Sequence, residues 1–390
     1  MHVSGLTNAM EQILTVTFFC VIALRSVALA DVRIEPMFGH PYVFTDRIVF
    51  TSVDGKRVIG IDKQGHFQWE LTFPTRIFLQ RSGDQLFVQS GRGVYRLNAS
   101  NGARSQVFLM PKQELLIADI GTNFLVAADK RFFHNHVRII SPVDHSTAWE
   151  SDSIEEIVQV TSSTVVAVTA DRKYDRKQKS YYLENGNLRG LDRKNGHIRW
   201  SIPLGSPVTG SVVSAQAGSF LAVVDSLRTY DPSIGDSRLL ILRPDTGAVL
   251  SKRDGRFRDL WPVEDSLGVL ERGSGAAEAE FYVCRLPDCA KENPISLSAK
   301  EILSVRLYGD YIITAGIYDS ACFQRATGTR LWEKGQLEWS QPFDDEMVVT
   351  DFSPSSQTAR IVAVDLRNGQ EHVLFSRKVT PQDKTNFRPW

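Results

Sequence analysis

The sequence predicts an all-β fold, an eight-bladed β-propeller of four-stranded antiparallel blades, on three observations. A polar turn ending in glycine, entered from an aliphatic strand and left toward Trp or an aliphatic residue, recurs eight times. The turn positions 65, 102, 145, 196, 247, 289, 328 and 369 are separated by 37, 43, 51, 51, 42, 39 and 41 residues, a period of about 43 that fits stacked or radial repeats. Inside each period the apolar residues form β-branched runs bounded by turn residues, and almost none carry the 3.6-residue spacing of a helix.

The units follow in order. In the first, "RIVFTS" and "RVIGID" read as strands, and "IDKQGHFQW" sets Gly65 before Trp69. The second has "QLFVQS", "GVYRLN" and Gly102 in "LNASNGARSQV". The third has "NFLVAA" and "VRIIS", and "ISPVDHSTAW" puts His145 at the glycine position, four before Trp149. The fourth has "TVVAVT", "NLRGLD" and "LDRKNGHIRW", with Gly196 before Trp200. The fifth has "FLAVVD", "LLILR" and Gly247 in "LRPDTGAVL". The sixth, "LGVLE", "FYVC" and "CRLPDCAKE", carries Cys289 where the others have glycine. The seventh has "YIITAG", "SACFQ" and Gly328 before Trp332, and the eighth "MVVTDF", "RIVAVD" and Gly369. Two strands per unit are plain and two more are inferred. Glycine before the last strand suits a turn that needs positive φ. The residue that follows lands on a fixed face of that strand, where it can pack between neighbours. Radial stacking of four-stranded units leaves only short, protected edges. "PKQELLIADI" and "SLSAKEIL" come nearest to helical periodicity, and both are short.

With 42% hydrophobic and 10% aromatic residues in 390, the chain can bury a sizeable core. Lys plus Arg equals Asp plus Glu at 45 each, so the basic excess of a nucleic-acid binder is missing. Residues 1–30 read as a signal peptide. "ILTVTFFCVIAL" is too short to span a bilayer comfortably, and "ALA" at 28–30 is a small-x-small cleavage pattern. No Lys or Arg precedes the apolar run, which leaves open a start at Met10 or retention as an anchor. Cys20 follows Phe18 and Phe19 in mid-run, a context unsuited to lipidation. The expected organisation is a signal over 1–30, the propeller over 31–380 and a tail over 381–390, in an exported, periplasmic or secreted monomer.

Of the four cysteines, Cys284 and Cys289 bracket the turn "RLPD". Export through an oxidising compartment makes a disulfide across that hairpin the expected pairing; reduced thiols, or a bond from Cys284 to Cys322, are the alternatives. His134 and His136 share one face of an extended segment but lack the third and fourth ligands of a metal site. "SGRGVY" and "RGSGAAEAE" do not complete a phosphate-binding pattern. No nucleophile-elbow or zincin motif occurs. Asn98 opens a glycosylation sequon. Catalytic, cofactor-binding and metal-binding residues are therefore expected to be none.

The most unusual stretch is "DRKYDRKQKSYY", residues 171–182, between the second and third strands of the fourth unit. Arg172, Lys173, Arg176, Lys177 and Lys179 supply the charge, and Tyr174, Tyr181 and Tyr182 interleave. The corresponding connection is also long in units three, five and eight and short in units one and two. Elaborated loops on a rigid scaffold are where function concentrates, and Tyr and Arg are favoured interface residues. These eight residues are the candidate partner-binding set; a solvated charged hairpin is the plainer alternative.

The turn-and-Trp units resemble the quinoprotein-type (PQQ-like) propeller repeat, whose general form is a strand pair followed by L-D-A-x-T-G-x-x-x-W. The copies at 191–200 and 323–332 match it best. The resemblance covers nearly all of the mature chain and implies the fold more than the function. It points to two branches: quinoprotein alcohol dehydrogenases, which use pyrroloquinoline quinone and calcium, and the non-enzymatic outer-membrane assembly factor BamB, which scaffolds barrel insertion. The enzymes run longer and often carry a vicinal Cys–Cys pair; this chain has no such dipeptide and no C-x-x-C-H. It also lacks the acylated Cys after the signal that marks the BamB lipoproteins. The resemblance thus implies an exported, non-catalytic, protein-binding scaffold without a cofactor. A quinoprotein-type oxidoreductase and a propeller binding carbohydrate or another small ligand are the alternatives.

Overall fold

The computed structural model describes residues 38–380 apart from 83–84, 111–113, 120–124, 130–135, 142–143, 145, 176–179, 206–212, 227–236, 274–278, 299–301, 303, 317–318, 336 and 338–341. The described residues form 32 strands and no helix. They build eight four-stranded antiparallel sheets, each drawn from one continuous stretch of chain with its strands in sequence order. The fold is the predicted eight-bladed β-propeller class. Blade 1 holds β1–β4 (residues 42–72), blade 2 β5–β8 (77–109), blade 3 β9–β12 (114–151) and blade 4 β13–β16 (154–203). Blade 5 holds β17–β20 (213–255), blade 6 β21–β24 (257–297), blade 7 β25–β28 (304–335) and blade 8 β29–β32 (342–378). Pro111–Ile120, the stretch nearest to a helical period, contains strand β9 (Glu114–Asp119).

The chain divides into two compact units. One runs up to Asp119 and resumes at Lys334; the other lies between Ile120 and Glu333. In the second unit, β18 (Phe220–Ser226) shows why the middle strands read as they do. Leu221 and Val223 pack against Val166, Val168 and Leu188 of blade 4, while Ala222 and Val224 pack against Phe257, Leu267 and Val269 of blade 6. Successive side chains point to opposite sheet faces, and both faces here are covered. The middle strands are therefore unbroken apolar runs, as in Val165–Val168, all fully buried. This departs from the alternation expected of a half-buried sheet, because a neighbouring blade replaces solvent on each side. In the first unit, Phe50, Ile59 and Ile61 of blade 1 share a core with Val348, Ile361 and Ala363 of blade 8.

The repeated turn has the predicted conformation. Gly65, Gly102, Gly196, Gly247, Gly328 and Gly369 all have positive φ, between 69° and 86°. Cys289 takes the same place at φ 48°, and its amide donates to the Arg285 carbonyl as Gly196 donates to Asp192. His145 lies outside the described residues.

Three of the tryptophans that follow these turns, Trp69, Trp149 and Trp200, cross to the next blade. Trp149 on β12 (Thr147–Ser151) lies against Gly196 and donates its indole N–H to the Arg193 carbonyl at 2.9 Å. Trp200 on β16 (Ile198–Pro203) does the same with Gly247 and the Pro244 carbonyl at 3.0 Å. Trp69 on β4 (Phe67–Thr72) uses Gly102 and the Ala99 carbonyl at 3.1 Å. A Cβ on any of these glycines would sit 2.4–2.8 Å from the ring, so glycine is required for close approach as well as for φ. Gly60 and Gly190, cross-strand partners of Trp69 and Trp200, leave room for the rings on their own blades.

Candidate partner-binding surface

Strands β14 (Thr164–Asp175) and β15 (Ser180–Asp192) are twice the usual length. Strand β13 (Ile154–Val160) pairs with β14 only as far as Thr169, and β16 pairs with β15 only as far as Asn187. Beyond these points β14 and β15 continue alone as a two-stranded ribbon, with Asp171 opposite Glu184, Lys173 opposite Tyr182, Tyr174 opposite Tyr181 and Asp175 opposite Ser180. A register shift between Thr169 and Asp171 marks the departure from the blade. At the base, Asn185, at φ 54°, donates its side-chain amide to the Asp171 carboxylate at 2.8 Å. The ribbon backbone carries Arg172, Lys173, Tyr174, Tyr181 and Tyr182; Arg176, Lys177 and Lys179 lie outside the described residues. The long connections of units three and five also lie outside them, as does His134.

Ribbon and turns are carried on blades tied together by polar contacts. Asp245, in the blade 5 turn, accepts hydroxyl hydrogen bonds from Thr161 at 2.6 Å and Ser163 at 2.7 Å on blade 4. These hydroxyls, Thr161 first, hold the Asp245 carboxyl below the usual carboxylate range. Asp225 accepts the Gly205 amide at 2.8 Å and pairs with Arg238.

In blade 6 the expected Cys284–Cys289 disulfide is formed. Cys322 is fully buried in β27 (Asp319–Gln324), and burial pushes its thiol up to about 12, where it is inert as a nucleophile.

Sequence reasoning missed a polar cluster on the first strands of blades 6 and 7, β21 (Phe257–Val263) and β25 (Ser304–Tyr308). Asp259 accepts the Val305 amide at 2.7 Å and the Leu260 amide at 2.9 Å. Arg258 donates to the Ile302 carbonyl at 2.6 Å. The Arg306 guanidinium lies 5.4 Å over the Trp261 ring, and Trp261 meets Tyr308 edge-on at 6.4 Å. The available signal was charge inside a strand, "FRDLWP", but convergence with "SVRLY" is not written in either stretch. Both Asp259 oxygens are taken by backbone amides, so the cluster is a clamp between blades. Among the described residues no group of three metal-ligating side chains comes together.

Burial pushes the Asp259 carboxyl up to about 7. The folded chain then holds a proton between about pH 4 and pH 7 that the unfolded chain has released. This group's contribution to stability is therefore largest below pH 4 and falls as pH rises to 7. Melting curves of wild type and Asp259→Asn at pH 4.5 and 7.5 check this. The wild type loses stability relative to the variant across the interval, and parallel shifts would refute the assignment.

Comparison with known proteins fits this geometry. The sequence profile of the family described as outer membrane protein assembly factor BamB matches residues 27–226. No curated protein sequence matches the chain. Among solved structures, the chain is similar to the computationally designed Ika8 protein, at 10% identity and TM-score 0.55 over 87% of this chain and 96% of that one. It is similar to a eukaryotic initiation factor at 14% identity and TM-score 0.52 over 90% of each chain. BamB from Moraxella catarrhalis aligns at 13% identity and TM-score 0.37 over 87% of this chain and 85% of that one. At these identities the first two structures speak to the fold alone. The profile spans half of the sequence, and the chain belongs to the PQQ-like repeat family of the outer membrane protein assembly factor BamB.

Proposed function

We propose that this protein is an exported, non-catalytic propeller that acts as a protein-binding scaffold in the cell envelope. On this reading residues 1–30 are removed as a signal, 31–380 form the working domain and 381–390 a tail. The family supports protein binding in general. Among the described residues no helix is long and apolar enough to cross a membrane.

The observation that carries the reading is the ribbon of blade 4. It extends past its sheet, and the sequence stretch it belongs to, residues 171–182, concentrates Arg172, Lys173, Arg176, Lys177 and Lys179 with Tyr174, Tyr181 and Tyr182. Cations steer an acidic partner at long range, and tyrosines supply contact area that charge alone lacks. On this reading the five cations face solvent, so changing them to Ser leaves the melting temperature nearly unmoved, surface substitutions each costing within about 0.5 kcal/mol. Capture of the envelope partner weakens, and wild-type capture falls with added salt because exposed charges are screened. Undiminished capture by the five-serine chain would remove the ribbon from the function.

A further inference from the structure

We propose that Asn185–Gly186, at the base of the blade 4 ribbon, is a site of spontaneous deamidation, and that its conversion releases the ribbon from the blade. The chemistry needs water and no enzyme. The Gly186 amide nitrogen loses its proton and attacks the Asn185 side-chain carbonyl carbon. A C–N bond forms there, and the side-chain nitrogen leaves as ammonia. Water then opens the cyclic imide at one carbonyl to give aspartate, or at the other to give isoaspartate. Nothing is oxidised or reduced. Glycine favours the step because it carries no side chain to hinder the attack.

The sequence holds four Asn-Gly pairs, at 101–102, 185–186, 195–196 and 368–369. All four asparagines are exposed, so access to water does not separate them. Hydrogen bonding does. Three pairs lie in the repeated turn, where the glycine N–H is already donated: Gly102 to the Asn98 carbonyl at 2.9 Å, Gly196 to Asp192 and Gly369 to Asp365 at 2.8 Å. The asparagine Oδ1 is engaged as well, accepting the amide two residues on, from Ala103, His197 and Gln370. Attack in these turns requires breaking both bonds. Asn185–Gly186 is placed differently. Asp171 lies opposite Glu184 and Thr169 opposite Asn187, so Ala170 alone stands against Asn185 and Gly186, a bulge in which the ladder is locally disrupted. The Asn187 side-chain amide donates to the Asn185 main-chain carbonyl at 2.7 Å. That bond polarises the peptide group whose nitrogen must attack and makes its N–H more acidic. The consequence follows from the base of the ribbon. Asn185 Nδ2 donates to the Asp171 carboxylate at 2.8 Å, and either product sets a second carboxylate there, so an attraction becomes a repulsion. Isoaspartate also threads a side-chain carbon into the main chain where β14 and β15 leave the blade. None of this requires the ribbon to bind a partner.

The test ages the full chain in warm, mildly alkaline buffer, folded and in urea, and follows each Asn-Gly peptide by mass spectrometry with isoaspartate methyltransferase labelling. In the folded chain Asn185 converts about tenfold faster than Asn101, Asn195 and Asn368, the factor that one or two net hydrogen bonds place on a local opening equilibrium. In urea the four rates converge. An unconverted Asn185, or equal rates at the four sites in the folded chain, overturns the site. Two variants test the release. Asn185→Asp carries the product's charge, and Asn185→Gly, which suits the positive φ, removes the hydrogen bond without adding charge. Trypsin cuts Asn185→Asp and the aged chain at the basic residues of 172–179 faster than it cuts wild type or Asn185→Gly, and the excess fades with added salt because exposed charges are screened. Cleavage of Asn185→Asp no faster than that of wild type or Asn185→Gly overturns the release.

Discussion

Trp149→Ala lowers the unfolding free energy by about 3–5 kcal/mol, the range for truncating a buried aromatic side chain. The ring is nearly buried and joins two blades, so its loss opens a cavity at an interface rather than inside one sheet. Arg193 also loses the indole N–H that its carbonyl accepts, and Gly196 loses the surface it lies on. Trp149→Phe keeps most of the apolar contact but not the donor, and costs about 1–2 kcal/mol. Urea denaturation of the three chains gives the ordering. An alanine variant within 1 kcal/mol of wild type would mean that the junction carries little of the fold's stability.

Gly65→Ala destabilises by roughly 3–5 kcal/mol, combining positive-φ strain with overpacking. Gly65 has φ 86°, and a methyl group there would stand 2.0 Å from the Leu374 carbonyl oxygen, on the backbone of β32 (Glu371–Lys378). A side chain could swing aside; a strand backbone must translate. Gly309→Ala is the matched control. Gly309 also has positive φ, 56°, but an added methyl meets nothing within 4 Å, so only the conformational cost of about 1–2 kcal/mol remains. Equal losses in the two variants would show that φ alone matters and that the contact between blades 8 and 1 is slack.

The turn was legible because its chemistry is local. Glycine at a fixed offset before a strand implies positive φ, and six of the eight positions carry it. Even the departure at Cys289 could be placed by alignment, and its disulfide partner stood five residues away. The burial pattern was legible only in part. Val165–Val168 read as a strand, but its two covered faces depend on blades some fifty residues distant in sequence. The Asp259 clamp was illegible for a similar reason: Val305, which donates to it, is 46 positions away, and no spacing rule joins them. The sixth unit is the instructive case. Its missing Trp registers in sequence as decay of a motif, whereas in three dimensions Ile295 packs against Gly328 in its place.

Every hydrogen-bonded sheet among the described residues comes from one continuous stretch of chain, and this has a kinetic consequence. Each blade can assemble from neighbours in sequence, so its ladder pays little loop-closure entropy and contact order within a blade is low. The seam between blades 8 and 1 is different. The Arg377–Glu70 ion pair, at 2.7 Å, joins groups 307 positions apart, and the Phe50–Phe375 ring contact spans a similar interval. Among the described residues no strand is exchanged across that seam, so it opens by parting side chains without breaking a ladder. Seam formation is then the late, slow step of folding, and seam rupture the early step of unfolding. Among the described residues the two ends of the propeller domain are held together by side-chain packing and ion pairs, the condition under which a new pair of termini cut into an exposed turn is tolerated.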